Sequence, residues 1–157
     1  MSVEIVLRDV IEEDLPVFFE HQIDKEATDM AAFPARDRKA FMQHWHGKVL
    51  TNEGISKQTI VFQGVPAGHI LCWKESDRHI VGYWLGKEYW GKGIATQALS
   101  SFIRILNPRP LFAHVVKHNI ASLKVLKKCG FVISSEGIIP TPEAVDEVEE
   151  YILKLDL

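Results

Sequence analysis

Val81–Phe102 reads VGYWLGKEYWGKGIATQALSSF, a strand, a glycine-rich turn and a helix in immediate succession. Val81, Tyr83 and Leu85 alternate with Gly82 and Trp84 in a β-branched and aromatic run, the period of a strand. From Ala95 the period changes, with Ala95, Ala98, Leu99, Phe102, Ile103 and Leu106 on one face of a helix. Between them stands Gly91-Lys92-Gly93. A helix start normally carries Ser, Thr, Asp or Asn at its cap and acids in its first turn, because orphan N–H groups and the macrodipole favour negative charge. This start has glycines and a lysine instead. Open backbone N–H groups beside a positive charge suit an external anion such as a phosphate. The alternative is a plain mobile turn before a core helix.

Other glycine-rich phosphate motifs fit poorly. A dinucleotide-binding fingerprint needs a third small residue where Thr96 stands, and an acid about twenty residues on, where Leu111–Val116 has none. A P-loop needs Gly-Lys-Ser/Thr at a fixed distance, and none follows. A nucleotide-dependent oxidoreductase is thereby disfavoured.

Gly91-Lys92-Gly93-Ile94-Ala95 resembles the pyrophosphate-binding signature of the GNAT N-acetyltransferase superfamily, with Trp90 standing where the family usually has Gln or Arg. Downstream, the segment from Asn119 through Ser122 to Gly130-Phe131 resembles the second cofactor segment of that superfamily. Together with GYWLGKEYWGKGIATQAL it is similar to the branch that acetylates ribosomal-protein N-terminal alanines. The resemblance implies an α+β fold, a mixed, mostly antiparallel sheet of about six or seven strands with helices on both faces.

The remaining sequence fits this frame. At 157 residues and 46% hydrophobic content, the chain is expected to form one domain over 1–157. A net charge of −3 and a pI near 6.2 give no electrostatic case for nucleic acid. Cys72 and Cys129 have no ligand or redox spacing and read as small core residues of a reducing compartment. No apolar run approaches about 18 residues, and the N-terminus carries Glu4 and no basic stretch, so no membrane partner and a cytoplasmic location are expected. His44 and His46 lie two apart and diverge on a helix, so no metal is expected there.

Val3, Ile5 and Leu7 suggest a first strand, and Glu12–Ile23 a helix with Pro16 in its first turn. Asp24–Pro34 reads as a loop or broken helix, rich in the acids Asp24, Glu26 and Asp29. It is either a solvated connection or a substrate-facing segment, with Asp29 and Phe33 its candidate contacts. Asp37 is placed to cap a helix to about Leu50. Thr59–Phe62, Ala67–Trp73 and Arg78–Gly86 read as a meander turning at Gly64-Val65-Pro66. Leu111–Val116 reads as a buried strand parallel to its predecessor, and Asn119 opens a helix to Lys128 with Ile120, Leu123 and Leu126 inward. Gly130 ends it, and Phe131–Ser135 and Glu149–Leu155 supply the last strands.

The resemblance implies acetyl transfer from acetyl-CoA to an amine, either a protein N-terminus or a small molecule. It implies that the main chain of Tyr83, Trp84, Leu85 and Gly86 pairs with the pantetheine arm as an added strand. It places the pyrophosphate on Gly91, Lys92, Gly93, Ile94, Ala95 and Thr96, and Asn119 and Ser122 near the pantetheine and the sulfur. Asn119 is also an ordinary helix cap, and Lys124, Lys127 and Lys128 an ordinary solvated face; Lys127 or Lys124 would reach a phosphate as a point charge. Many relatives carry a tyrosine acid seven residues after the Asn, where this chain has Leu126, which leaves Ser122 as the candidate acid. Some relatives carry a glutamate base five residues before the Asn, where this chain has His114. An unperturbed histidine pKa of about 6.5 suits that work. Ile80 replaces another frequent glutamate, and neighbouring His79 is a second candidate base. The missing tyrosine and glutamate keep open a non-catalytic acyl-CoA-binding sensor or interaction module. The sequence is compatible with a homodimer.

Overall fold

The computed structural model of the protein describes residues 4–139 and 148–156. Its strands are β1 (Ile5–Arg8), β2 (Ser56–Phe62), β3 (Val65–Glu75), β4 (Arg78–Leu85), β5 (Leu111–Val116), β6 (Val132–Ile139) and β7 (Val148–Leu155). Its helices are α1 (Leu15–Gln22), α2 (Lys25–Ala31), α3 (Arg38–His44), α4 (Ile94–Ile105) and α5 (Ile120–Lys128). The strands form one seven-stranded sheet in the order β1-β2-β3-β4-β5-β7-β6. Strands β1 to β4 pair antiparallel, β5 runs parallel to β4 after the crossover through α4, and β7 enters antiparallel between β5 and β6. This is the expected mixed, mostly antiparallel sheet of the α+β class. Val3 lies outside the described residues.

Alternation divides the strand residues between two cores. Ile60, Ile70, Cys72, Val81, Leu111, Ala113 and Leu153 pack with Ile94, Ala98, Leu99 and Phe102 of α4 and Leu126 of α5 on one face. On the other face, Leu15 and Phe18 of α1, Phe41 of α3 and Trp45 and Val49 beyond it pack against Leu71. Arg109 donates to the carbonyls of Ile103 (2.9 Å) and Leu106 (3.0 Å), satisfying acceptors at the end of α4. No helix among the described residues is long and apolar enough to cross a membrane.

Several boundaries differ from the sequence reading. The first helix opens with a 3-10 turn, Glu12–Asp14, because Asp14 is turned inward: Arg8 grips its carboxylate at 2.7 and 2.8 Å, and Thr59 Oγ1 donates to it at 2.7 Å. Asp24–Pro34 contains the capped helix α2, with the Asp24 side chain accepting from Ala27 N at 3.1 Å. Asp37 caps α3 as expected, but the helix continues as a π-helical turn, Trp45–Val49. The β2–β3 turn is Gln63-Gly64, both at positive φ (52° and 79°), one residue earlier than expected. Pro66 is already within β3, opposite a register irregularity at Ile60/Val61. Ile120 is 52% exposed, not inward, because it is the first residue of α5 and lies beyond the reach of the core.

Candidate active site

Strands β4 and β5 pair only at His79↔Leu111 and Ile80↔Phe112 and then part. Into the resulting crevice, of about 370 Å³, open the glycine turn and the first turns of α4 and α5. Gly93 is the N-cap of α4 with φ +81°, Gly91 has φ +74°, and no side chain caps the helix. Only glycine adopts such angles freely, and the first amide of α4 to find a helical carbonyl is Gln97 N on Gly93 O, at 3.2 Å. The N–H groups of Ile94, Ala95 and Thr96 therefore face a site whose helix dipole attracts anions.

The main chain of β4 forms the crevice wall. Gly86 N–H donates to Ala67 O at 2.9 Å, and in an antiparallel ladder the hydrogen-bonding direction alternates along the strand. Trp84 therefore faces β3, and Tyr83 and Leu85 turn their N–H and C=O groups toward the gap. Of the four residues expected to offer main chain there, Tyr83 and Leu85 do so and Trp84 and Gly86 do not. Trp90, in place of the family's Gln or Arg, donates its indole N–H to Leu85 O at 3.0 Å and occupies one of those acceptors. Close pairing with β3 also requires Gly68, whose Cβ would collide with the Trp84 carbonyl.

At the inner end of the crevice the Tyr83 phenol donates to Ser122 Oγ at 3.1 Å. Burial pushes the Tyr83 pKa up, so the phenol keeps its proton near neutral pH. Asn119 Oδ1 accepts from Ser122 N at 3.2 Å, which caps α5 and leaves the amide NH₂ of Asn119 free to donate into the crevice. Ala27, Met30 and Ala31 of α2 give an apolar wall.

A second cavity, of about 780 Å³, lies on the opposite face of the sheet beneath α1, α3 and the π-helical turn. Tyr83 and Trp84 line both cavities, so the two meet where β4 leaves β5. His69 forms part of its floor, with its ring centroid 4.7 Å from that of Phe18 and 5.1 Å from that of Trp45. The ring borders the cavity, but this packing excludes most water. Burial first and the nearby His21 second push the His69 pKa down to about 3.

The proposed bases occupy different places. His114 projects from β5 on the second-cavity face, with Nδ1 3.1 Å from Glu150 Oε1, but is not itself on the wall. His79 sits at the paired end of β4, four residues from Tyr83, about 13 Å along the strand. Phe33 lines the second cavity and meets Trp84 edge-on at 6.1 Å. Asp29 lines neither cavity; it pairs with Lys25 at 3.1 Å, and its carbonyl lies 2.9 Å from His118 Nε2. Glu26 likewise pairs with Lys87 at 3.0 Å, so α2 turns its acids outward and its apolar side to the crevice. Lys124 borders the crevice, whereas Lys92 and Lys127 do not.

Three features escaped the sequence reading. The Tyr83 side chain was detectable, since strand alternation with Val81 and Leu85 fixes its face. His69 and Arg36, which also lines the second cavity, were not, because that cavity is assembled from α1, α3 and the π-helical turn over β3 and β4, whose packing no local motif encodes. Among the described residues no group of three or more His, Cys, Asp or Glu is placed to hold a metal.

A family model described as an acetyltransferase (GNAT) domain matches residues 4–132. Solved structures of the same fold include a spermidine N-acetyltransferase from Vibrio cholerae in complex with CoA and spermine (TM-score 0.82, 14% identity, 97% of this chain and 95% of that one). A GNAT-family acetyltransferase from Bacillus anthracis superposes at TM-score 0.80 with 17% identity over 99% of this chain and 96% of that one. RimL, a ribosomal-protein alpha-N-acetyltransferase in complex with CoA, also reaches 0.80, with 19% identity over 99% and 96%. No curated protein sequence matches. The family match runs from the first strand into β6 and includes both helix starts that open on the crevice, and on this ground the chain belongs to the GNAT family of acetyltransferases.

Proposed function

We propose that the protein transfers the acetyl group of acetyl-CoA directly to a primary amine, of a protein N-terminus or a small molecule, with both substrates bound at once. The observation that carries this reading is the meeting of two cavities at Tyr83 and Trp84, one lined by anion-binding backbone and the other by side chains. The crevice suits acetyl-CoA: the free N–H groups of Ile94, Ala95 and Thr96 would hold the diphosphate, and the open edge of Tyr83 and Leu85 the pantetheine arm. Acetyl-CoA would supply the activated acyl group, with CoA released as the free thiol.

Ser122 Oγ holds a proton toward the junction of the cavities. Tyr83 Oη, 3.1 Å behind it, holds a second that replaces the first, and the phenol regains its own proton from solvent. The phenol does on β4 what the family's tyrosine does from the position of Leu126, a residue whose side chain here fills the core. On the acceptor side a base must take a proton, since a lysine amine has a pKa of about 10.4 and an N-terminal one about 8. His114 fills this role through water, its Nδ1 held by Glu150 and its Nε2 open to accept.

The test is thiol release from acetyl-CoA over a panel of amines, with the acetylated product identified by mass. Amine-dependent release is expected. Binding of acetyl-CoA with no transfer to any amine would replace this reading with a sensor.

A further inference from the structure

The second cavity carries an electrostatic bias of its own. Arg36, His44, Lys48 and Lys74 stand on its wall against one acid, Glu75, in a chain whose net charge is −3. Among the described residues, Arg36, Lys48 and Lys74 form no ion pair. The acids of α2, by contrast, are a cap and two ion-pair partners on the outside.

Arg36 is fixed in place. The buried Gln22 side chain donates to its carbonyl and accepts from its N–H, both at 2.9 Å, and its guanidinium lies over Phe33 at 5.4 Å. Phe33 in turn leans on Trp84, so the guanidinium is coupled by packing to the junction of the cavities. His44 and Lys48 are four residues apart where α3 runs into the π-helical turn, and both face the cavity. The His44 pKa is held down first by burial and then by the charges of Arg36 and Lys48, which reports a positive potential at this wall. Three nitrogen groups facing one space, with Glu75 the single carboxylate on its wall, form a receptor for an anionic oxygen group.

We propose that the acceptor carries, beside its amine, a carboxylate that docks on Arg36, His44 and Lys48 while the amine reaches toward Trp84. The amine's part rests on the transfer reading above; the carboxylate's part rests on the cavity alone. Two sources share this chemistry, a small amino acid and a peptide N-terminus followed by an acidic side chain.

The experiment is titration of the protein, with and without acetyl-CoA, following tryptophan fluorescence. The probes are γ-aminobutyrate beside γ-aminobutyramide, and a Ser-Glu-Ala peptide amide beside Ser-Gln-Ala amide. The acidic member of at least one pair is expected to bind about tenfold or more tightly than its neutral partner, with the advantage shrinking as salt rises. The pair that shows it identifies the source. Arg36→Gln combined with Lys48→Gln should bring the acidic probes to the level of the neutral ones while acetyl-CoA still binds. Arg36→Lys, which keeps the charge and loses the planar fork, should retain part of the preference. Equal or tighter binding of the neutral probes by the wild type would overturn the proposal, as would a preference that survives in the double variant. An intact preference without acetyl transfer would instead refute the transfer reading and leave the carboxylate site standing.

Discussion

The two cavities that meet at Tyr83 and Trp84 are built from different materials. The crevice between β4 and β5 is made of main chain: two glycines at positive φ, an uncapped helix start and a strand edge left open by the splay. The cavity under α1, α3 and the π-helical turn is made of side chains, among them Arg36, His44, Lys48, His69 and Trp84. A backbone site binds whatever presents a diphosphate and an amide-bearing arm, and is encoded by short local spacing. A side-chain site selects, and its selectivity depends on residues brought together from α3, the π-helical turn, the loop before α3 and strands β3 and β4. Under the proposed function, the difference divides the chain into a general half, for the cosubstrate, and a specific half, for the acceptor.

This division can be broken at several points, with effects of decreasing size. Ser122→Ala is expected to lower kcat by about 100-fold, with Tyr83→Phe giving about tenfold, while the dissociation constant for acetyl-CoA stays close to its wild-type value. Pre-steady-state thiol release would check this, and an unchanged kcat in both variants would remove the proton relay from the account. His114→Ala should lower kcat/KM for the acceptor by at least about tenfold and change the shape of the pH–rate profile. A profile identical to the wild type would assign the base to water.

Stability should divide along the same line. Burial raises the Asp14 pKa, but hydrogen bonds from Arg8, Ile11 N–H and Thr59 together with the Arg8 charge more than reverse this, so Asp14 ends below the ordinary carboxylate range. Its stabilisation is present above the unfolded value of about 3.9 and is lost as pH falls through the folded one. Asp14→Ala should cost about 2 kcal/mol, less than the usual penalty for breaking a fully buried pair because Arg8 is 36% exposed. Chemical denaturation gives the magnitude. Hydrogen exchange should show α1 loosening before α4, and uniform loosening would contradict separate halves.

His69 gives an effect confined to acid pH. Its folded pKa of about 3 lies below the unfolded value of about 6.5, so the unfolded chain binds the proton first and stability falls as pH drops through that window. His69→Phe should flatten the fall by up to about 1.4 kcal/mol per pH unit. Denaturation midpoints between pH 7 and 4 measure it, and parallel curves for variant and wild type would show that His69 is charged in the fold.

What could be read from the sequence follows the same division. Strand and helix periods in Val81–Leu106 located β4 and α4, and the bare glycine start of α4 located the crevice, because both signals are local and set by backbone chemistry. The crossover predicted parallel pairing of β5, though not that only His79 and Ile80 of β4 would take part. Gly86 was expected at the open edge, but strand parity, visible only once pairing with Ala67 is known, turns it away. The acids of Asp24–Pro34 left a substrate-facing segment open; the partners Lys25 and Lys87 were needed to see that Asp29 and Glu26 face outward. Arg36 gave no signal because its position depends on Gln22, fourteen residues earlier, and on Phe33 stacking against a strand from the centre of the chain.

The most direct test of the general half is calorimetric titration with acetyl-CoA of the wild type, Gly93→Asn and Gly93→Glu. Asn tolerates the left-handed backbone of Gly93 and adds no charge, whereas Glu puts a carboxylate against the helix start. Micromolar binding by the wild type, largely kept by Gly93→Asn and weakened by at least about 100-fold in Gly93→Glu, is the predicted result. Equal affinity in all three folded proteins, or none in the wild type, would mean that the start of α4 does not hold the cofactor.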